Sequence, residues 1–174
     1  AVPLILAQGV IIAAVMCLCE FLCAPAIVSM TGGAFSLVPW AAIACLMAVA
    51  FTYILGFAFL WLADNLTHGH DHRLLPVVYG LVGMVSFAIW GGLVFTTVIN
   101  SALQATTQPQ LAGADNWIIT ANCGIVGLAS FVIASIYAPR LSKSRGTCVV
   151  LGAIGLLLAA LGGFYTWQLY AFIS

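Results

Sequence analysis

The sequence predicts an all-α polytopic membrane protein, a single domain over residues 1–174 built as a bundle of about five transmembrane helices, and three observations carry that reading. Charged residues make up 5% of the chain and hydrophobic ones 64%, where soluble domains carry roughly 25% charged residues. The apolar residues fall in five uninterrupted runs, each long enough to cross a ~30 Å hydrocarbon core at ~1.5 Å per helical residue. The four basic residues lie only in the second and fourth connecting segments, which in a five-span chain share one side of the membrane.

The first run covers residues 4–30 and ends at the turn residues Thr31, Gly32 and Gly33. It lacks a basic n-region and a short h-region closed by a small-residue cleavage site, so it reads as a span and not as a signal peptide. The missing initiator Met fits its removal ahead of Ala1, and a trimmed chain would read the same. The second run covers 37–63 and is followed by DNLTHGHDHR, the most polar stretch of the sequence. The third covers 75–101 and fades into a polar segment with Gln104, Thr106, Thr107, Gln108, Pro109 and Gly113, residues that mark a loop. The fourth covers 117–138 and is expected to stop at Pro139, because proline does not continue a helix easily. The fifth covers 147–172. Continuous apolar runs exclude a barrel, whose strands alternate.

Basic residues set orientation. Arg73 lies in the second loop, and Arg140, Lys143 and Arg145 lie in the fourth. The positive-inside rule therefore places both loops and the N-terminus in the cytoplasm and the C-terminus outside. Asn65-Leu66-Thr67 matches a glycosylation sequon and argues the other way. Lying so close to the membrane, it weighs less than the basic residues.

Composition also removes function classes. Formal net charge is zero, so nothing attracts nucleic acid. The partners expected are the lipid bilayer and other membrane subunits. The six cysteines, Cys17, Cys19, Cys23, Cys45, Cys123 and Cys148, sit in or at the ends of apolar runs, which does not describe a disulfide framework. No span holds a histidine, so no bis-His haem is expected between the helices. The chain has no CxxC pair, nucleophile elbow, phosphate loop or paired carboxylate within a span, and an enzyme is not expected. No internal repeat supports an inverted-repeat transporter.

Small residues recur at four-residue spacing, which puts each set on one helix face where backbones can approach closely. The sets are Gly9, Ala13 and Cys17; Ala44, Ala48, Thr52 and Gly56; Ser130, Ala134 and Ala138; and Gly155, Ala159 and Gly163, with Gly80, Gly83, Gly91 and Gly92 less regular in the third run. They serve packing within the chain or contacts with other subunits. Trp40, Trp61 and Trp117 lie near span ends, where indoles anchor at the interface, and Trp90 lies deeper.

Glu20 is the one ionisable side chain well inside a span, ~24 Å along its helix. A carboxylate there is costly and is by default a functional-site hypothesis. No Lys, Arg or His lies in a span to pair with it, so it is protonated and hydrogen-bonded, or it meets a cation, water or another subunit. Thr96, Thr97, Asn100 and Ser101, with Thr120 and Asn122, fall toward the outer face and are expected to form a polar vestibule above it. Met16, Cys19, Glu20 and Cys23 share one helix face, where soft sulfur ligands beside a carboxylate suit Cu(I). His68, His70 and His72 suit Zn, Ni or Cu. The bland alternatives are a Glu20 bonded to a backbone carbonyl or threonine, cysteines as small apolar residues, and a solvated loop. Three function classes follow: a non-catalytic subunit of a larger membrane complex, which the near absence of soluble mass favours; a small transporter, channel or substrate-binding component using Glu20 as a proton or cation site; and a metal-handling or redox membrane protein.

Overall fold

The computed structural model describes residues 2–68 and 73–171. Among them are five helices long and apolar enough to cross a membrane: α1 (Leu4–Met30), α2 (Leu37–Thr67), α3 (Leu75–Ala105), α4 (Gly113–Leu141) and α5 (Arg145–Ala171). No strand occurs among the described residues. The chain is thus an all-α helical bundle, and continuously apolar helices of this length belong in a bilayer.

The limits of α1 agree with those read from hydropathy, whereas α2 and α3 each run on by about a turn, to Thr67 and Ala105. A helix does not end where its side chains turn polar, since the backbone bonds persist while the side chains reach water. Pro139 does not stop α4, which begins at Gly113 and continues to Leu141. Proline removes a single N–H from the ladder, and the next turn still closes, with Ser142 N–H donating to the Ala138 carbonyl at 2.9 Å. Pro25 likewise sits inside α1, on its exposed face. Between α1 and α2 the chain reverses through Gly32 (φ 58°) and Gly33 (φ 88°), left-handed conformations that a side chain disfavours.

Two helices contain a π turn, Thr52–Gly56 in α2 and Gly91–Phe95 in α3. Widening the turn disturbs the i→i−4 ladder, and threonine hydroxyls bond carbonyls at both places. Thr52 Oγ1 donates to the Ala48 carbonyl at 2.9 Å, Thr96 Oγ1 to Gly92 at 2.6 Å and Thr97 Oγ1 to Leu93 at 2.5 Å.

Helices α1 to α4 close a ring in which each packs on the next and α4 returns to α1, and α5 lies outside it against α2 and α1. The tightest pair is α3 with α4. A Cβ on Gly83 would stand 2.5 Å from both the Gly127 carbonyl and the Phe131 ring, and one on Gly91 2.5 Å from Cys123 Sγ. Most of the small-residue sets are therefore used inside the chain: Ala44, Ala48, Thr52, Gly56, Ser130, Ala134 and Ala138 are all buried. On α5, Gly155 and Ala159 are buried and the last position is shifted by one. Gly155 and Gly163 have no neighbour within 4 Å of a would-be Cβ, and it is Gly162 that abuts the backbone of α2 at Ala42.

The ring interior is aromatic, with Phe35 against Trp40, Trp40 against Phe95, Phe95 against Phe87, and Phe87 and Trp90 against Phe51. Trp40 is thus not an interface anchor. It stands near the start of α2, but its ring turns inward and is fully buried. Trp61 and Trp117 do face outward, as expected of anchors.

Candidate functional site

Helix α1 packs against α2, α4 and α5, and Glu20 projects from it into protein on every side. Its side chain is 0% exposed, and neither Oε1 nor Oε2 has a hydrogen-bond partner among the described residues. The Trp40 and Trp90 indole nitrogens and Asn122 Nδ2 are also buried without a partner among the described residues. The bundle therefore holds acceptors and donors that do not meet. Each unsatisfied buried group costs about 1–3 kcal/mol, and such groups concentrate where a protein binds or moves something polar.

The residues around Glu20 along α1 are engaged elsewhere. One turn before it, fully buried Met16 has its sulfur 3.9 Å from Thr52 Oγ1, whose proton goes to the Ala48 carbonyl at 2.9 Å. Three residues after it, Cys23 Sγ donates to Asn122 Oδ1 of α4 at 3.3 Å. Cys17 and Cys45 bond each other's carbonyls, at 3.9 and 3.8 Å, and join α1 to α2. These are thiol bonds, weak donors in an apolar setting.

Of the expected polar vestibule, only Asn122 shares a contact with the Glu20 face, through Cys23. Thr96 is buried and bonded to its own helix, and Thr97 is exposed and bonded likewise. Asn100 Oδ1 accepts from the Leu111 N–H at 3.0 Å, tying down the loop that follows α3. Each of these side chains thus bonds elsewhere than at Glu20, the threonines because in apolar surroundings a hydroxyl meets its needs most cheaply at the carbonyl one turn back.

Among the described residues, the sulfurs proposed for a metal do not form a donor set. Met16 and Cys23 direct their sulfurs to different helices, α2 and α4, and Cys19 is half-buried. Among the described residues, no three His, Cys, Asp or Glu side chains are grouped to hold a metal ion. His68 is exposed, with its ring Nδ1 3.3 Å from the Asp64 carbonyl. His70 and His72 lie outside the described residues.

One polar group escaped the sequence reading. Tyr79 of α3 is almost wholly buried, and its hydroxyl donates to Asp64 Oδ1 of α2 and accepts from Gln8 Nε2 of α1 at 3.5 Å. Three helices are thereby joined at one end of the bundle. The available signal was depth, since Gln8 and Tyr79 each lie about a turn inside their spans at the same membrane face.

Together the fold and the enclosed carboxylate define a class, the multi-pass helical membrane proteins with a polar group inside the bundle. No protein-family model, curated protein or solved structure matches the chain.

Proposed function

We propose that this protein is a small transport or channel component whose intramembrane proton or cation site is Glu20. The observation behind it is the enclosure of Glu20 in the bundle with both carboxylate oxygens unpartnered. A bare carboxylate in that setting is costly, so the side chain takes up a proton or a small cation and gives it up when the bundle opens. The polar contacts beside Glu20 are thiol bonds, from Cys17 to α2 and from Cys23 to α4, which part more readily than charged or amide pairs. In this reading the loops bearing Arg73, Arg140, Lys143 and Arg145 are cytoplasmic, by the positive-inside rule.

The test is flux. The purified protein is reconstituted into phosphatidylcholine vesicles holding a pH-sensitive dye, and a proton, sodium or potassium gradient is imposed. The wild type is expected to dissipate at least one gradient faster than empty vesicles, and Glu20→Gln, folded by circular dichroism, to fall back to the empty-vesicle rate. Equal rates for wild type and Glu20→Gln would remove the carboxylate from the function.

A second reading, a non-catalytic subunit of a larger membrane complex, is supported by α5. That helix stands outside the four-helix ring and directs Leu156, Leu157, Phe164 and Trp167 outward, all well exposed. Extraction in mild detergent and native mass measurement decide it, a strictly monomeric protein without a co-purifying chain counting against it.

A further inference from the structure

Helices α4 and α5 follow each other in the chain with only residues 142–144 between them, yet they scarcely touch. Helix α4 is drawn onto α3 and α1 and α5 onto α2 and α1, so a cleft opens between consecutive helices with α1 as its floor. Ile11 and Ala14 form that floor, Ile133 and Tyr137 one wall and Leu151 the other, enclosing about 420 Å³, with Arg140 and Ser144 at the mouth. Ala14 and Leu151 also line a second apolar groove of about 330 Å³, which continues along α5 to Leu161. From Ser144 to Leu161 this track runs ~25 Å along the helix, more than the depth of one leaflet of a ~30 Å core.

Arg140 makes the mouth cationic, and Lys143 and Arg145 flank Ser144 in the chain. Arg140, Lys143 and Arg145 account for three of the four basic residues of the chain. None of them is in an ion pair among the described residues. The described carboxylates are placed elsewhere: Glu20 is buried, Asp64 accepts the Tyr79 hydroxyl, and Asp115 lies in the first turn of α4, at the far end of that helix. The Arg140 guanidinium is held over the Tyr137 ring, 5.8 Å from its centroid, at the rim of the cleft. Beside it, Ser144 Oγ and Thr147 Oγ1 lie 2.7 Å apart and exposed. Cations and hydroxyls at the end of an apolar track at the membrane face complement a phosphate carried on an acyl chain.

We infer that the cleft between α4 and α5 is a binding site for an anionic phospholipid, with its phosphate against Arg140, Lys143, Ser144 and Thr147 and an acyl chain lying along α1. The apolar track selects a membrane lipid over a soluble anion, and the unpaired cations select an anionic headgroup over a zwitterionic one. The headgroup residues lie apart from Glu20, although the far groove of the track is lined by Cys17 and Cys45 beside it, and the site stands whether or not Glu20 carries flux.

The experiment is native mass spectrometry of the full chain in mild detergent, titrated separately with phosphatidylglycerol and phosphatidylcholine of the same acyl composition. Wild type is expected to bind one phosphatidylglycerol about ten-fold more tightly than phosphatidylcholine. The triple variant Arg140→Gln, Lys143→Gln, Arg145→Gln, altered only at exposed positions, is expected to bring the two lipids within about two-fold of each other. Glycerol 1-phosphate in large excess is expected to displace neither. Equal affinity of the wild type for the two lipids, a preference retained by the triple variant, or displacement by glycerol 1-phosphate each overturns the assignment.

Discussion

Cys23 Sγ donates to Asn122 Oδ1 at 3.3 Å, three residues along α1 from Glu20, and leaves Asn122 Nδ2 unpaired. This contact between α1 and α4 is soft, a thiol donor against an amide. The neighbouring contact between α3 and α4 is different in kind, with backbone against backbone at Gly83 and Gly127. The polar contact beside Glu20 is thus a weak thiol bond, while α3 and α4 meet through their backbones, and the two kinds of contact bear on the behaviour of several variants.

Glu20→Leu is expected to keep the protein folded and to raise stability by about 1–3 kcal/mol, because no partner is lost and a costly buried polar group is removed. Glu20→Gln is expected to change stability little. Thermal unfolding in detergent micelles reads both, and a clear loss of stability in Glu20→Leu would mean that the carboxyl group has an internal partner after all.

The glycines of the α3–α4 contact behave oppositely to those of α5. At Gly127 a Cβ would collide with the Gly83 backbone and Phe87, whereas at Gly155 it would meet nothing within 4 Å. Gly127→Val is expected to cost about 3 kcal/mol or more through overpacking, and Gly155→Ala to be neutral or to gain up to about 1 kcal/mol of helix propensity. Unfolding midpoints of the two variants, measured side by side, check the contrast.

Tyr79→Phe removes the hydroxyl between Asp64 and Gln8 and is expected to cost about 1–2 kcal/mol. The loss should be local, at the end of the bundle where α1, α2 and α3 meet. Hydrogen exchange of the first turns of α1 and α3 should quicken in the variant while the centre of α4 is unaffected, and uniform protection across the chain would contradict a local role.

Sidedness can be read with single introduced cysteines in a background lacking the native six. His68→Cys and Ser144→Cys are expected to react with a membrane-impermeant maleimide from one side and Gln108→Cys from the other. Labelling of His68→Cys and Gln108→Cys from the same side would break the five-span topology, and labelling of Ser144→Cys from outside intact cells would reverse the orientation.

Five apolar runs separated by polar segments were readable from the chain alone, because the demand of a hydrocarbon solvent for continuous apolar helices acts residue by residue and leaves its trace in composition. For the same reason Glu20 stood out, as the one ionisable group where lipid tolerates almost none. Which way each helix faces was not readable. Helices that are apolar all round carry no polar stripe to show their buried side, so Trp40 read as an anchor and is instead fully enclosed. Nor could the order of residues disclose that Gly162 and not Gly163 meets α2, that Tyr79 reaches Asp64, or that α5 leaves its neighbour α4 to pack on α1 and α2. Those are choices among near-equal apolar surfaces. They are decided by close packing between helices, a property of the assembled bundle that no single segment carries.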